Sequence, residues 1–408
     1  MLLIPDAADA PGNAASPQAA AAASAAADCR DLAAPNGFGP AVLAAALALP
    51  GLVPAAQAQG MPEQAVLGVR WLDYRDRQPG LDRIGVRSPA VSLLLPLAGD
   101  WTIEGSVVAD RVSGASPRYH TAISGASRME DRRHGADARV TRYFSGGGSV
   151  SAGVAHSDEN DYRSLAFSLA GSLASEDRNT TATLGAAVAN DTIDPVNQAV
   201  RGERRHVVQW LAGVTRVLTP RDIVQANFTR SLGDGYYSDP YKFLDRRPRS
   251  RGQSTVLLRW NHHFGDGSTL RASWRRYRDS WGIRALTLGA EWVRPLGDWT
   301  LVPAMRVYSQ APARFYSDAV YDARFGPPFP PGYNFADRRP ISADQRLSGF
   351  GARSVSLRID RKLTPALSAD IKLEAYRQRS GWRLSGAGSP GLAPLDARSV
   401  QVGLEYRW

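Results

Sequence analysis

Cysteine is nearly absent: the 408-residue chain holds one, Cys29. Lysine is almost as scarce. Lys242, Lys362 and Lys372 are three of 49 Lys plus Arg, so the formal charge of +10 is carried by arginine. After residue 60 there is no run of about twenty apolar residues free of charge, which argues against membrane-spanning helices. The Walker glycine pattern is also missing, and the run Gly146-Gly147-Gly148 reads as a hairpin turn. A mean hydropathy of -0.29 does not exclude a membrane protein. A membrane barrel alternates lipid-facing with lumen-facing residues and never becomes hydrophobic on average.

What is present begins with a leader. Residues 41–53 form a short apolar core followed by Ala56-Gln57-Ala58, a small-x-small cleavage pattern. The expected division is residues 1–58 as a cleaved leader with a signal peptide, and 59–408 as one barrel domain. Cys29 precedes the apolar core, so it does not fit a lipoprotein acceptor, and cleavage leaves neither disulfide nor thiol nucleophile. The leader carries Arg30 against Asp6, Asp9, Asp28 and Asp31, a net -3, so its removal raises the charge from +10 to +13.

The last ten residues set the pattern for the rest. Val400, Val402, Leu404, Tyr406 and Trp408 alternate with Ser399, Gln401, Gly403, Glu405 and Arg407, one apolar and one polar face of a strand. A terminal aromatic strand of this kind resembles the closing strand of an outer-membrane barrel. Val402, Leu404, Tyr406 and Trp408 are thereby expected to be read by the barrel-assembly machinery. From residue 65 onward, alternating segments recur with turn signals between them. They number about sixteen. Connections near 98, 146, 176, 219, 266, 296 and 364 are short and rich in Gly, Asp, Pro or Asn. Most others are long and polar: 111–136, 156–161, 190–205, 231–252, 309–349 and 378–397. The expected fold is therefore all-β, a transmembrane antiparallel up-and-down barrel with short periplasmic turns and long extracellular loops. Pro96-Leu-Ala-Gly-Asp-Trp-Thr102 and Pro295-Leu-Gly-Asp-Trp-Thr300 read as equivalent hairpins that put an aromatic at the membrane rim. A long loop folding inward is the one way to fill so wide a lumen, since strands begin almost directly after the leader.

Charges on a lipid-facing position destabilise a barrel, so those on the polar strand faces should line the lumen and set its selectivity. They are Glu104, Asp137, Arg139, Arg259, Arg271, Arg275, Arg358, Asp370, Lys372, Glu374 and Glu405. Three basic clusters, Arg201 to Arg205, Arg246 to Arg251 and Arg338-Arg339, fall in expected outer loops. There they either contact lipopolysaccharide phosphate or anionic solute, or stand as solvated loop charge. Asp110 with the Ser113–His120 stretch, and His156 to Asp161, carry oxygen ligands for a cation, but ordinary structural turns explain both better. His262 and His263 point to opposite faces of one strand and cannot share a metal. No Ser-His-acid constellation is visible, so neither catalytic residue nor cofactor nor metal site is expected.

Several blocks together resemble a family of Gram-negative exported proteins carried under a domain-of-unknown-function label and predicted to be outer-membrane barrels. They are Ser113–His120, Ser157-Asp-Glu-Asn-Asp-Tyr162, Gly235-Tyr-Tyr-Ser-Asp-Pro-Tyr-Lys242, Arg276-Tyr-Arg-Asp-Ser-Trp-Gly-Ile283, Tyr308-Ser-Gln310, Phe315-Tyr316 and Arg346-Leu-Ser-Gly-Phe350. The resemblance spans residues 62–408 and implies fold and location, with no catalytic residue to carry over. It also implies a periplasmic, flavin-linked redox partner. The expected function is a porin-like channel of the Gram-negative outer membrane for small polar solutes, with lipopolysaccharide as surface partner and no nucleic acid. The alternative is a non-conducting barrel that scaffolds or exports the redox partner.

Overall fold

The computed structural model describes residues 60–115 and 128–408. The expected leader, with its cleavage after Ala58 and Cys29, lies outside the described residues, as does Ser116 to His120.

The chain runs through β1 (Val66–Gln78), β2 (Leu81–Leu97), β3 (Trp101–Ala115), β4 (Arg128–Phe144), β5 (Gly148–Glu159) and β6 (Tyr162–Ala174). It continues through β7 (Thr180–Ile193), β8 (Glu203–Thr219), β9 (Asp222–Gly235), the short β10 (Asp245–Arg246), β11 (Ser250–His263) and β12 (Thr269–Asp279). The last are β13 (Arg284–Leu296), β14 (Trp299–Gln310), the short β15 (Ile341–Ser342), β16 (Phe350–Lys362), β17 (Leu367–Arg379) and β18 (Leu395–Arg407). β10 and β15 pair with each other in the loops, and the remaining sixteen strands close into one antiparallel barrel. Closure is made by β1 against β18, from Val66 opposite Arg407 to Arg77 opposite Asp396. It leaves no strand edge unpaired, which is the condition for a sheet to cross lipid.

Alternation puts two chemistries on the two surfaces. Outward positions carry Leu67, Val69, Trp71, Phe167, Leu169, Leu184, Trp210, Val355, Val402 and Leu404, all exposed. A continuous apolar belt about 25 Å tall is what the hydrocarbon of a bilayer covers. On the short-turn rim, Trp101 and Trp299 follow left-handed turn residues, Gly99 and Asp100 in one case and Gly297 in the other. Each indole carries an arginine: Arg142 over Trp101 at 5.2 Å and Arg361 over Trp299 at 4.7 Å. The two echoing motifs are thus equivalent rim hairpins.

The strands are longer and the loops shorter than the hydropathy pattern predicts. The polar stretch 111–136 narrows to 116–127, 190–205 to 194–202, 231–252 to 236–249, and 378–397 to 380–394. The expected loop over 156–161 is mostly strand, with two connecting residues. The reason is solvent. Beyond the membrane the outward face meets water, so both faces turn polar while backbone pairing continues. Strands of 11–17 residues exceed the roughly 9–11 that cross a bilayer, and the surplus stands on the long-loop side.

Candidate functional site

All eleven charges expected in the lumen occupy inward positions. Glu104 and Arg139 stand opposite on β3 and β4 with 3.6 Å between their charged groups. One rung along, the Ser106 hydroxyl donates to Asp137. Arg259 donates to Gln225 at 3.2 Å. Arg271 lies 3.7 Å from Glu291, and Arg275 packs its guanidinium over Tyr277. Arg358 reaches Asp360 at 3.2 Å, and Lys372 lies 3.7 Å from Glu374. Glu374 is also 3.5 Å from Arg306, across the intervening β16. Asp370 faces Gly403, where a Cβ would come within 2.2 Å of its carboxylate oxygen; only a glycine leaves room there. Glu405 accepts from Arg407 at the short-turn rim. Glu291 and Asp360, on the polar faces of their strands, belong to the same network, as does Arg306, which escapes a hydropathy reading. Around Arg306 the inward Val302 and the outward Pro303 blur the alternation.

The wall built by β5, β6 and β7 is different. Its inward residues are small: Ser149, Ser151, Gly153 and Ala155 on β5; Ser164, Ala166 and Ser168 on β6; Ala187 and Ala189 on β7. Charge returns only at the outer end, with Glu159 and Asp191. The lumen is therefore uneven: charge runs from β11 through β17 and round to β4, and the inward residues are small and neutral from β5 to β7.

Over the long-loop mouth the loops form a cap. Asp344, 1% exposed, sits between Lys242 Nζ at 2.7 Å, Arg247 Nη2 at 2.7 Å and the guanidinium of Arg346. Asp245 holds Arg247 at 2.8 Å and accepts from Ser342 at 2.7 Å, where β10 meets β15. Asp239 binds Lys242 and Arg346. Loop 236–249 is thus tied to loop 311–349 by buried ion pairs. Burial alone would push the Asp344 carboxyl up, but Arg346, Lys242 and Arg247 outweigh it and hold it well below the usual carboxylate range. Asp239 is lowered in the same way, against its burial, chiefly by Lys242 and Arg346.

The cap is fastened to the inner wall on several sides. Gln310, inward on β14, donates to the carbonyls of Arg346 and Ser348 at 2.8 Å each. Gln345 meets Gln78 of β1 at 3.4 Å. Leu347 is buried with Trp281, Ile283 and Ala313, against Tyr237, Tyr277, Phe315 and Tyr316. On the far side, Tyr241 donates to Asp161 at 2.8 Å and Asn197 to the Pro240 carbonyl at 3.0 Å. The bridge crosses the mouth from the β5–β6 connection to β1. Where loop 236–249 leaves β9, Gly235 has φ +130, and a Cβ there would lie 2.1 Å from the Arg204 carbonyl. Glycine is required at that bend. Six of the seven sequence blocks that carry the family resemblance meet in this cap. Tyr162 joins through Arg205, which donates to its hydroxyl at 2.8 Å and lies over the Tyr237 ring.

The cap corrects the reading of the basic clusters. Arg204 and Arg205 belong to β8, and Arg205 is spent on Asp191 at 2.7 Å. Arg247 is locked in the Asp344 cluster, Arg249 pairs with Glu203, and Arg251 pairs with Asp279 beneath Trp281. Arg201, Arg338 and Arg339 sit on exposed loops, the last beside Asp337. Asp110 is no cation ligand: it holds Arg133 at 2.8 Å. The oxygens of 157–161 diverge, with Asp158 on Arg163 and Asp161 under Tyr241 and the Val196 amide. His262 faces outward against Asp222, and His263 faces inward against Thr269.

A closed sixteen-stranded barrel with an apolar belt outside and a polar lumen inside is a transmembrane β-barrel of the outer-membrane class. The chain belongs to the family described as Protein of unknown function (DUF3570), whose model matches residues 124–398. No curated protein matches the chain. Among solved structures it is similar to a bacterial polysaccharide outer membrane secretin, at 10% identity and a TM-score of 0.47 over 86% of this chain and 100% of that one. It is also similar to the CymD monoaromatic hydrocarbon channel, at 11% identity and 0.42, covering 85% and 89%. A third is the outer membrane protein opdK from Pseudomonas aeruginosa, at 10% identity and 0.43, covering 85% and 100%.

Proposed function

We propose that this protein is a gated channel of the Gram-negative outer membrane, passing small polar solutes through an unevenly charged lumen beneath a loop cap. The observation that carries it is the position of the buried Asp344 cluster. It joins two loops across the mouth of a barrel whose wall already presents Arg259, Arg271, Arg306 and Lys372 inward. A rigid structural barrel has no need for a charged wall, whereas a selective pore is built from one. Val402, Leu404, Tyr406 and Trp408 stand exposed on the outward face of β18 and serve as the insertion signal for the barrel-assembly machinery.

The cap itself favours a second reading, a non-conducting barrel that scaffolds or exports a periplasmic, flavin-linked redox partner. Planar-bilayer recording on the purified full chain separates the two. The channel reading expects small or infrequent openings from the wild type and larger, steadier ones from Asp344→Ala. Ion selectivity should then move toward cations in Lys372→Glu and Arg306→Glu. A folded, heat-modifiable barrel that stays silent in both the wild type and Asp344→Ala would sink the channel and leave the scaffold.

A further inference from the structure

The outer face of the barrel changes character abruptly on the long-loop side of its apolar belt. On β1 the outward series Leu67, Val69, Trp71 gives way to Asp73, Arg75 and Arg77. On β18 the series Tyr406, Leu404, Val402, Val400 gives way to Arg398. The same step brings Arg377 out on β17, Arg353 on β16, Arg87 on β2 and Arg111 on β3, all exposed. Three of these pairs stand directly opposite across neighbouring strands: Arg75 and Arg398, Arg87 and Arg111, Arg353 and Arg377. Like charges placed directly opposite destabilise a strand pair, so the barrel by itself gains nothing from this pattern. The acids on this face are fewer. Asp73 lies 3.1 Å from Arg75 and 3.6 Å from Arg87, Asp396 pairs with Arg379 at 2.7 Å, and Asp82 is the third.

We propose that the arc from β16 through β1 to β3 docks the phosphate groups of outer-leaflet lipopolysaccharide. The chemistry matches at two heights. The apolar belt directly below accepts acyl chains, and the opposed arginines stand on strands about 5 Å apart, so that their long side chains can converge on one phosphate. Arginine's fork, in place of lysine's point charge, suits that bidentate contact. Across the barrel Arg163 pairs with Asp158 at 2.9 Å, while Arg278 and Arg284 form a further opposed pair on β12 and β13. This surface is separate from the loop clusters, whose arginines are largely consumed by internal acids, and it does not depend on conduction through the lumen.

The test is lipid retention by the full chain purified in detergent, read by native mass spectrometry after loading with lipopolysaccharide or with its dephosphorylated form. The wild type should retain the phosphorylated lipid and lose the dephosphorylated one, with inorganic phosphate competing weakly. Replacing the three opposed pairs by glutamine should weaken retention by roughly tenfold or more, while Arg163→Gln with Arg204→Gln leaves it unchanged. If the sixfold variant fails to fold, Arg75→Gln with Arg398→Gln should show a smaller loss in the same direction. Equal retention by the folded pair variant and the wild type, or equal retention of both lipids, would overturn the proposal.

Discussion

The two walls of the lumen are made from the same antiparallel ladder, yet they do opposite things with their inward positions. On β5 to β7 serine, alanine and glycine alternate inward, contributing little volume and no charge through mid-barrel. From β11 to β17 the inward residues are long and ionised, and they pair mostly with each other: Arg271 with Glu291, Arg306 with Glu374, Arg358 with Asp360. The cap leans on both. It is tied to the small wall through Tyr241 and Asp161 at the outer end, and it is packed on the charged wall through Leu347 and Gln310. Lumen width and lumen field are thus set on different strands, and the cap is held by ion pairs of its own. A change in one of the three should leave the other two largely intact.

The largest expected effect separates the cap from both walls. Asp344→Ala leaves Lys242, Arg247 and Arg346 facing one another without their shared carboxylate, and removing one partner of a buried pair costs about 3–5 kcal/mol. Loops 236–249 and 311–349 should become rapidly cleaved by added protease, while heat-modifiability of the barrel persists. Loss of the barrel itself would show that the cap is part of its core. On the small wall, Ala166→Phe puts an aromatic where the residue is 3% exposed. We expect about 1–3 kcal/mol of destabilisation and a lower conductance, with ion selectivity unchanged. A selectivity shift would mean that the walls are not independent.

Acid should reach the cap only at low pH. Asp344 and Asp239 are both held below the ordinary carboxylate value, which is about 4. Their contribution is complete above that value and is lost as the pH falls through the depressed folded-state values. Cap protection against protease should therefore be flat from neutral pH down to about 4 and decline only below it. Loss of protection between pH 7 and 5 would assign the latch to other groups. The smallest effect belongs to Arg339→Gln. Its salt bridge to Asp337 lies on the exposed loop, outside the latch, so neither melting nor conductance should change measurably.

Much of the barrel was legible before any coordinates. Period-two alternation, an even strand count and two rims of unequal turns follow from pleat geometry and the hydrogen-bond poverty of lipid, both local constraints. The outer halves of the strands were not legible. Residues such as Arg132, His134, Arg204 and His206 are polar on an outward face that meets water, so hydropathy no longer reports the ladder they still form. The basic cluster Arg246 to Arg251 was misleading for a related reason. Whether an arginine is surface charge or latch depends on the acid it meets, and one of the two acids on Arg247, Asp344, lies 97 residues away.

The sequence by itself determined the architecture, because each strand declares its two faces within a dozen residues and a membrane admits only a closed sheet. It also determined which strand charges turn inward, since parity along a strand is a local property. Tertiary structure alone decided that the mouth is capped and that Asp344 is the latch. Those outcomes rest on contacts such as Gln78 with Gln345 and Lys242 with Asp344, between residues that share no local periodicity. Only closing the barrel brings them within reach.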